Sequence, residues 1–97
     1  MRLIKTMYGG YVNCDNIQII RRGGKTTFDE EENYKTIEVV TSRGTFTLGR
    51  YWKGEYSADE KRDIALSELI RRLTNDQLII EVLNNEQAEE ELKKRIK

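Results

Sequence analysis

Tyr34-Lys35-Thr36-Ile37-Glu38-Val39-Val40-Thr41-Ser42-Arg43-Gly44-Thr45-Phe46-Thr47-Leu48-Gly49-Arg50-Tyr51 is the stretch that decides the fold. Its first arm alternates, with Tyr34, Thr36, Glu38 and Val40 on one side and Lys35, Ile37, Val39 and Thr41 on the other. That is the period of a strand. Ser42-Arg43-Gly44 supplies turn residues, and Thr45–Tyr51 returns with Phe46 and Leu48 on one face. β-Branched and aromatic residues dominate both arms. The segment is a β-hairpin, with Phe46 expected in its core.

Toward the N-terminus, Ile17–Arg21 extends the strand reading and Gly23-Gly24 ends it. Arg2–Tyr8 and Tyr11–Cys14 form a second hairpin around Gly9-Gly10, which can adopt the positive φ of a tight turn. Asp15-Asn16 makes the next turn, because both side chains close Asx-turns. Residues 25–33 lack any period and hold the carboxylate block Asp29–Glu32, so they are expected as an exposed loop.

Toward the C-terminus the period changes to that of a helix. Ser57 and Glu60 stand at capping-box spacing, and Ala65, Leu66, Leu69, Ile70 and Leu73 form an apolar stripe. Arg71 and Arg72 in the last turn suit the helix dipole, and Thr74-Asn75-Asp76 ends the helix. Leu78–Leu83 fits a short buried strand, and a buried helical turn fits nearly as well. Over 86–97 the pairs Glu89/Lys93, Glu90/Lys94 and Glu91/Arg95 support a second helix, whose only apolar stripe is Ala88, Leu92 and Ile96. The expected architecture is a single α+β domain over 1–97. It has a mostly antiparallel four- or five-stranded sheet, helix 57–73 packed on one face and a C-terminal helix.

Composition narrows the function. The 97 residues include no His, no Pro and one Cys. Without an imidazole there is no His-based triad, metal site or proton shuttle, and one thiol makes no intrachain disulfide. Lys plus Arg equal Asp plus Glu at 17 each, so no global positive field draws in nucleic acid. That zero averages a strand-rich half, 1–54, at +3 and a helical half, 55–97, at −3. No apolar run suffices for a membrane helix, and no secretory signal precedes the first strand. With the single thiol, this points to the cytoplasm. No cofactor is implied.

Individual motifs mostly resolve into structure. Gly23-Gly24-Lys25-Thr26 resembles the end of a P-loop, but Ile19 stands where the first Gly is needed and carboxylates follow where phosphate would sit. Arg43–Leu48 has one aromatic, Phe46, which is no stacking platform for RNA. Asp29–Glu32 lacks the spacing of a calcium loop. Cys14 has no activating group, and Asp15 beside it would raise its pKa. No catalytic or metal-ligating set emerges. Arg50-Tyr51-Trp52-Lys53-Gly54-Glu55-Tyr56 carries more information: its aromatics can close the core, meet a partner protein or stack bases.

At Tyr11-Val12-Asn13-Cys14-Asp15-Asn16-Ile17, Leu48-Gly49-Arg50-Tyr51 and the Ser57-capped helix, the chain resembles small β-rich, C-terminally helical proteins of phages and mobile elements of Gram-positive bacteria. The resemblance implies a non-catalytic role in docking on a host or element protein, including inhibition of host defence nucleases in the manner of anti-CRISPR proteins. The residues expected at a protein interface are Tyr51, Trp52, Tyr56, Leu92 and Ile96. The alternative is a nucleic-acid-binding accessory protein using Arg21, Arg22, Lys25, Arg43, Arg50 and Lys53. Homodimerisation through helix 86–97 or a strand edge is compatible with either reading.

Overall fold

The alternation of residues 34–51 builds the hairpin it predicts. In the computed structural model, which describes residues 1–25 and 33–95, β4 (Tyr34–Thr41) and β5 (Gly44–Tyr51) pair antiparallel. The acidic block Asp29–Glu32 lies outside the described residues. One extra residue enters β5 at Leu48, since Ile37 pairs with Gly49 and Glu38 with Thr47. This bulge breaks the in–out alternation. Leu48 and Gly49 are both buried, while Phe46 stands 38% exposed and is not the core residue that plain alternation predicts.

β3 (Ile17–Lys25) pairs with the other edge of β4 and runs through Gly23-Gly24 instead of ending before them. Gly23 is needed for closeness: a Cβ there would lie 2.6 Å from Thr36 Oγ1. The P-loop-like glycines are thus strand residues.

The rest of the chain does not join this sheet. β1 (Leu3–Lys5) and β2 (Tyr11–Asn13) form their own hairpin, and a 3-10 turn at Cys14–Asn16 carries the chain out of it before β3 begins. The second edge of β1 is taken in parallel by β6 (Ile79–Ile80), with Leu3 opposite Ile79 and Ile4 opposite Ile80. Two three-stranded sheets, β2-β1-β6 and β3-β4-β5, therefore replace the expected single sheet. A parallel pairing needs a long crossover, and α1 (Ala58–Leu73) carries the chain back to provide it. The sheets touch where the Met7 N–H donates to the Thr47 carbonyl at 3.0 Å.

The capping box of α1 forms as its spacing predicts: Ser57 Oγ accepts from the Glu60 N–H at 3.1 Å, and Glu60 Oε1 accepts from the Ser57 N–H at 3.3 Å. Its buried residues are Lys61, Arg62, Ile64, Ala65 and Leu69, while Ile70, expected on the stripe, is 54% exposed. The far end is capped from the start of the chain. Arg2 donates to the carbonyls of Arg72, Leu73, Asn75 and Gln77 at 3.2, 2.7, 2.6 and 3.1 Å. Arg72 and Leu73 are in the last turn, at the negative pole of the helix dipole, and Asn75 and Gln77 belong to the segment that follows it. α2 (Asn85–Arg95) completes the fold and buries Asn85 and Ala88.

Tyr51 anchors the core. It is fully buried, and its hydroxyl donates to the Leu83 carbonyl at 2.6 Å, tying β5 to the segment after β6. A Cβ on Gly49 would fall on the Tyr51 phenol oxygen, so only glycine lets the ring lie there. Tyr51→Phe is expected to cost ~1–2 kcal/mol by orphaning that carbonyl, and Gly49→Ala ~1–3 kcal/mol by overpacking. Because the clash is largely with the hydroxyl, Gly49→Ala should cost less in the Tyr51→Phe background. Urea unfolding of the four proteins measures that coupling; strict additivity contradicts it.

Candidate functional site

The inner stripe of α1 continues backward from Leu69 and Ala65, at helical spacing, to Lys61. Its side chain is only 1% exposed. A buried ammonium must be surrounded by acceptors, and this one is. It donates to the Trp52 carbonyl at 2.8 Å and to Asn85 Oδ1 at 3.3 Å, and stands 3.3 Å from Glu89 Oε1. The acceptors have second donors: Asn85 Oδ1 takes the Trp52 N–H at 3.1 Å, and Glu89 Oε1 takes the Glu55 N–H at 2.9 Å. One cation thus fixes the loop after β5 against both helices. Asn84 caps α2 by accepting the Gln87 N–H at 2.8 Å, while Gln87 Oε1 accepts the Asn84 N–H at 2.9 Å.

This use of Glu89 changes the expected helix pairs. Glu91–Arg95 forms at 3.3 Å, but Lys93 turns to Glu55 at 3.6 Å and Glu90 at 3.9 Å. A local i,i+4 pattern yields here to a buried tertiary charge.

Beside this hub lies a cleft of about 410 Å³ between the end of β1, the end of β5 and the start of α2. Lys5, Met7, Leu48, Trp52, Glu81 and Asn85 are among the residues that line it. A second hollow of about 370 Å³ is lined by Tyr8, Tyr11 and Phe46 with Thr6, Gly10, Thr45 and Thr47, and Thr6 borders both.

Of the expected interface residues, Trp52 is 43% exposed at the cleft. Tyr56 is half-buried, and Leu92 packs against the core cluster. Tyr51 belongs to the core and offers no surface, and Ile96 lies outside the described residues. Met7, Tyr8, Tyr11 and Phe46 line these hollows without a sequence motif that marks them as a site. One signal was present: Tyr8 and Tyr11 flank a glycine turn, where a ring has little to be buried against.

The basic candidates divide. Register places Arg21, Lys25 and Arg50 on one face of the β3-β4-β5 sheet, where Arg21 pairs with Glu38 at 3.0 Å and Arg50 lies 3.9 Å from the Tyr34 ring centre. Arg22 is on the opposite face, 3.6 Å from Asp63 of α1. Arg43 sits in the β4–β5 turn and Lys53 follows β5. Burial, more than Asp15, pushes the Cys14 thiol up, and the Arg2 guanidinium opposes the rise. Among the described residues no group of three or more Cys, Asp or Glu could hold a metal ion, and no helix is long and apolar enough to cross a membrane. The chain matches no family model, no curated protein and no solved structure.

Two measurements test the hub and its surroundings. Lys61→Met keeps most of the stem volume but removes the ammonium, leaving the Trp52 carbonyl without its donor. It should lower unfolding stability by ~2–3 kcal/mol, and a loss under about 0.5 kcal/mol would show the hub to be incidental. The second concerns acid. The Glu55 N–H, aided by Lys61 and Lys93, lowers the pKa of Glu89, and hydrogen bonds from Arg71 and then Arg72 lower that of Glu68 from 4.5 to about 2. Depressed carboxylates stabilise fully above their unfolded value, so stability should fall as pH drops below about 4.5 and keep falling toward 2. Glu68→Gln should flatten part of that decline in urea titrations.

Proposed function

We propose that the protein is a non-catalytic binding module that docks on another protein through the junction of its two sheets. The observation that carries this reading is the set of exposed apolar side chains gathered there: Met7, Tyr8, Tyr11, Phe46 and Trp52, around two hollows that share Thr6. Aromatic and Met side chains are enriched in the cores of protein interfaces. These rings stand on strands, a tight hairpin turn and a hydrogen-bonded loop, so little ordering is needed on docking. The resemblance to proteins of phages and mobile elements would make the partner a host or element protein, with inhibition of a defence nuclease as its most specific form. Cytoplasmic action is part of the same reading. The nucleic-acid alternative draws less support, because Arg21 is already paired with Glu38 and Arg22 faces α1.

The test is a comparative pull-down from source-cell lysate. A stoichiometric protein recovered by the wild-type chain should be lost by about tenfold or more with Tyr8→Ser/Phe46→Ser. It should be retained with Ile19→Ser, a change at another exposed apolar residue, on the edge strand β3. Equal recovery by all three proteins, or no stoichiometric partner at all, contradicts the proposal.

A further inference from the structure

We infer that the cleft beside Trp52 holds an extended peptide segment of the partner, with the Asn85 side-chain amide donating to one of its main-chain carbonyls. The inference rests on the protein-docking reading and specifies one part of that surface. Asn85 Oδ1 faces the Trp52 N–H and the Lys61 ammonium, and both are donors only. An NH2 group turned that way would meet two donors, so the oxygen must point inward and Nδ2 outward.

Asn85 is 6% exposed yet lines the cleft. Among the described residues its Nδ2 has no acceptor and no sealed side-chain nitrogen or oxygen lacks a partner, so Nδ2 keeps access to solvent, and the opening that Asn85 borders is the cleft. The donor is rigid because the oxygen on the same carbon is held twice. Trp52 is fixed by the same contacts, its N–H given to Asn85 and its carbonyl taken by Lys61, while its ring remains partly exposed. A fixed amide donor next to a ring, with Met7 and Leu48 alongside, suits a main-chain carbonyl and a neighbouring apolar side chain.

Charge selects between occupants. An amide beside a Trp could also serve a stacked base. The cleft, however, sets Glu81 and Glu86 against Lys5 and Arg50, with Lys5 and Glu81 3.7 Å apart. Its formal charge is zero, which gives a phosphate backbone no net attraction and a neutral peptide no penalty.

Asn85→Asp isolates the contact. The carboxylate still accepts the Trp52 N–H and the Lys61 ammonium, but it turns an acceptor instead of a donor toward the cleft. Short random linear peptides displayed on a library are selected on the full wild-type chain, and the enriched ones are measured against each variant. Asn85→Asp and Trp52→Ala should each weaken binding by about tenfold, and Tyr8→Ser by less than about twofold. In the wild-type chain the Asn85 side-chain NH2 resonances should shift when peptide is added, which needs no variant to fold. Peptides that bind Asn85→Asp equally well without moving those resonances overturn the inference; if they weaken with Tyr8→Ser instead, protein docking stands. Failure to enrich any peptide overturns the inference as well, and the pull-down above judges the docking reading separately. Movement of the same resonances by a short oligothymidylate, with no response to peptide, makes the cleft a base site and overturns the peptide assignment.

Discussion

The buried ammonium of one lysine, Lys61, organises this fold. The ammonium of Lys61 lies in the interior, where an unpaired cation would be very costly, and its acceptors come from the loop after β5 and from α2. Because those acceptors also receive the N–H groups of Trp52 and Glu55, the loop cannot shift without unsettling the lysine. The same geometry that satisfies the charge holds the Trp52 backbone and the Asn85 amide beside the cleft that both residues line. Stability and recognition therefore share atoms.

Other distant segments are joined in the same manner, by polar side chains bonded to main-chain carbonyls. Arg2 closes the end of α1, Arg72 donates to the Glu81 carbonyl at 2.6 Å, and Tyr51 donates to that of Leu83. Each of these bonds ties the β2-β1-β6 sheet or the chain near it to the rest. With 35% of its residues charged and 37% apolar, the chain has a modest core. Directional bonds to the backbone fix the arrangement that hydrophobic burial alone would leave loosely specified.

The division of charge seen in the sequence has a more limited meaning in three dimensions. The strand-rich half carries +3 and the helical half −3, but several charges are spent between the halves, as in Arg22 with Asp63 and Lys5 with Glu81. What remains at the sheet junction is a neutral, aromatic surface. A protein surface is the more natural complement to it than a polyanion.

The sequence by itself determined the local structure. Alternation fixed the β4–β5 hairpin, the Ser57–Glu60 spacing fixed the start of α1, and the glycines after Tyr8 fixed the first turn, because each depends on neighbours along the chain. Tertiary structure decided the rest. It divided the strands into two sheets, because β6 can find β1 only after the whole chain has returned. It bulged β5 at Leu48, it left Phe46 partly exposed although that residue pairs with the buried Val39, and it sent Glu89 to Lys61 instead of Lys93. The candidate site was legible only at Trp52, for an exposed ring and an outward amide depend on what packs behind them. Long-range pairing and the cost of burying charge choose among arrangements that the local pattern leaves equal.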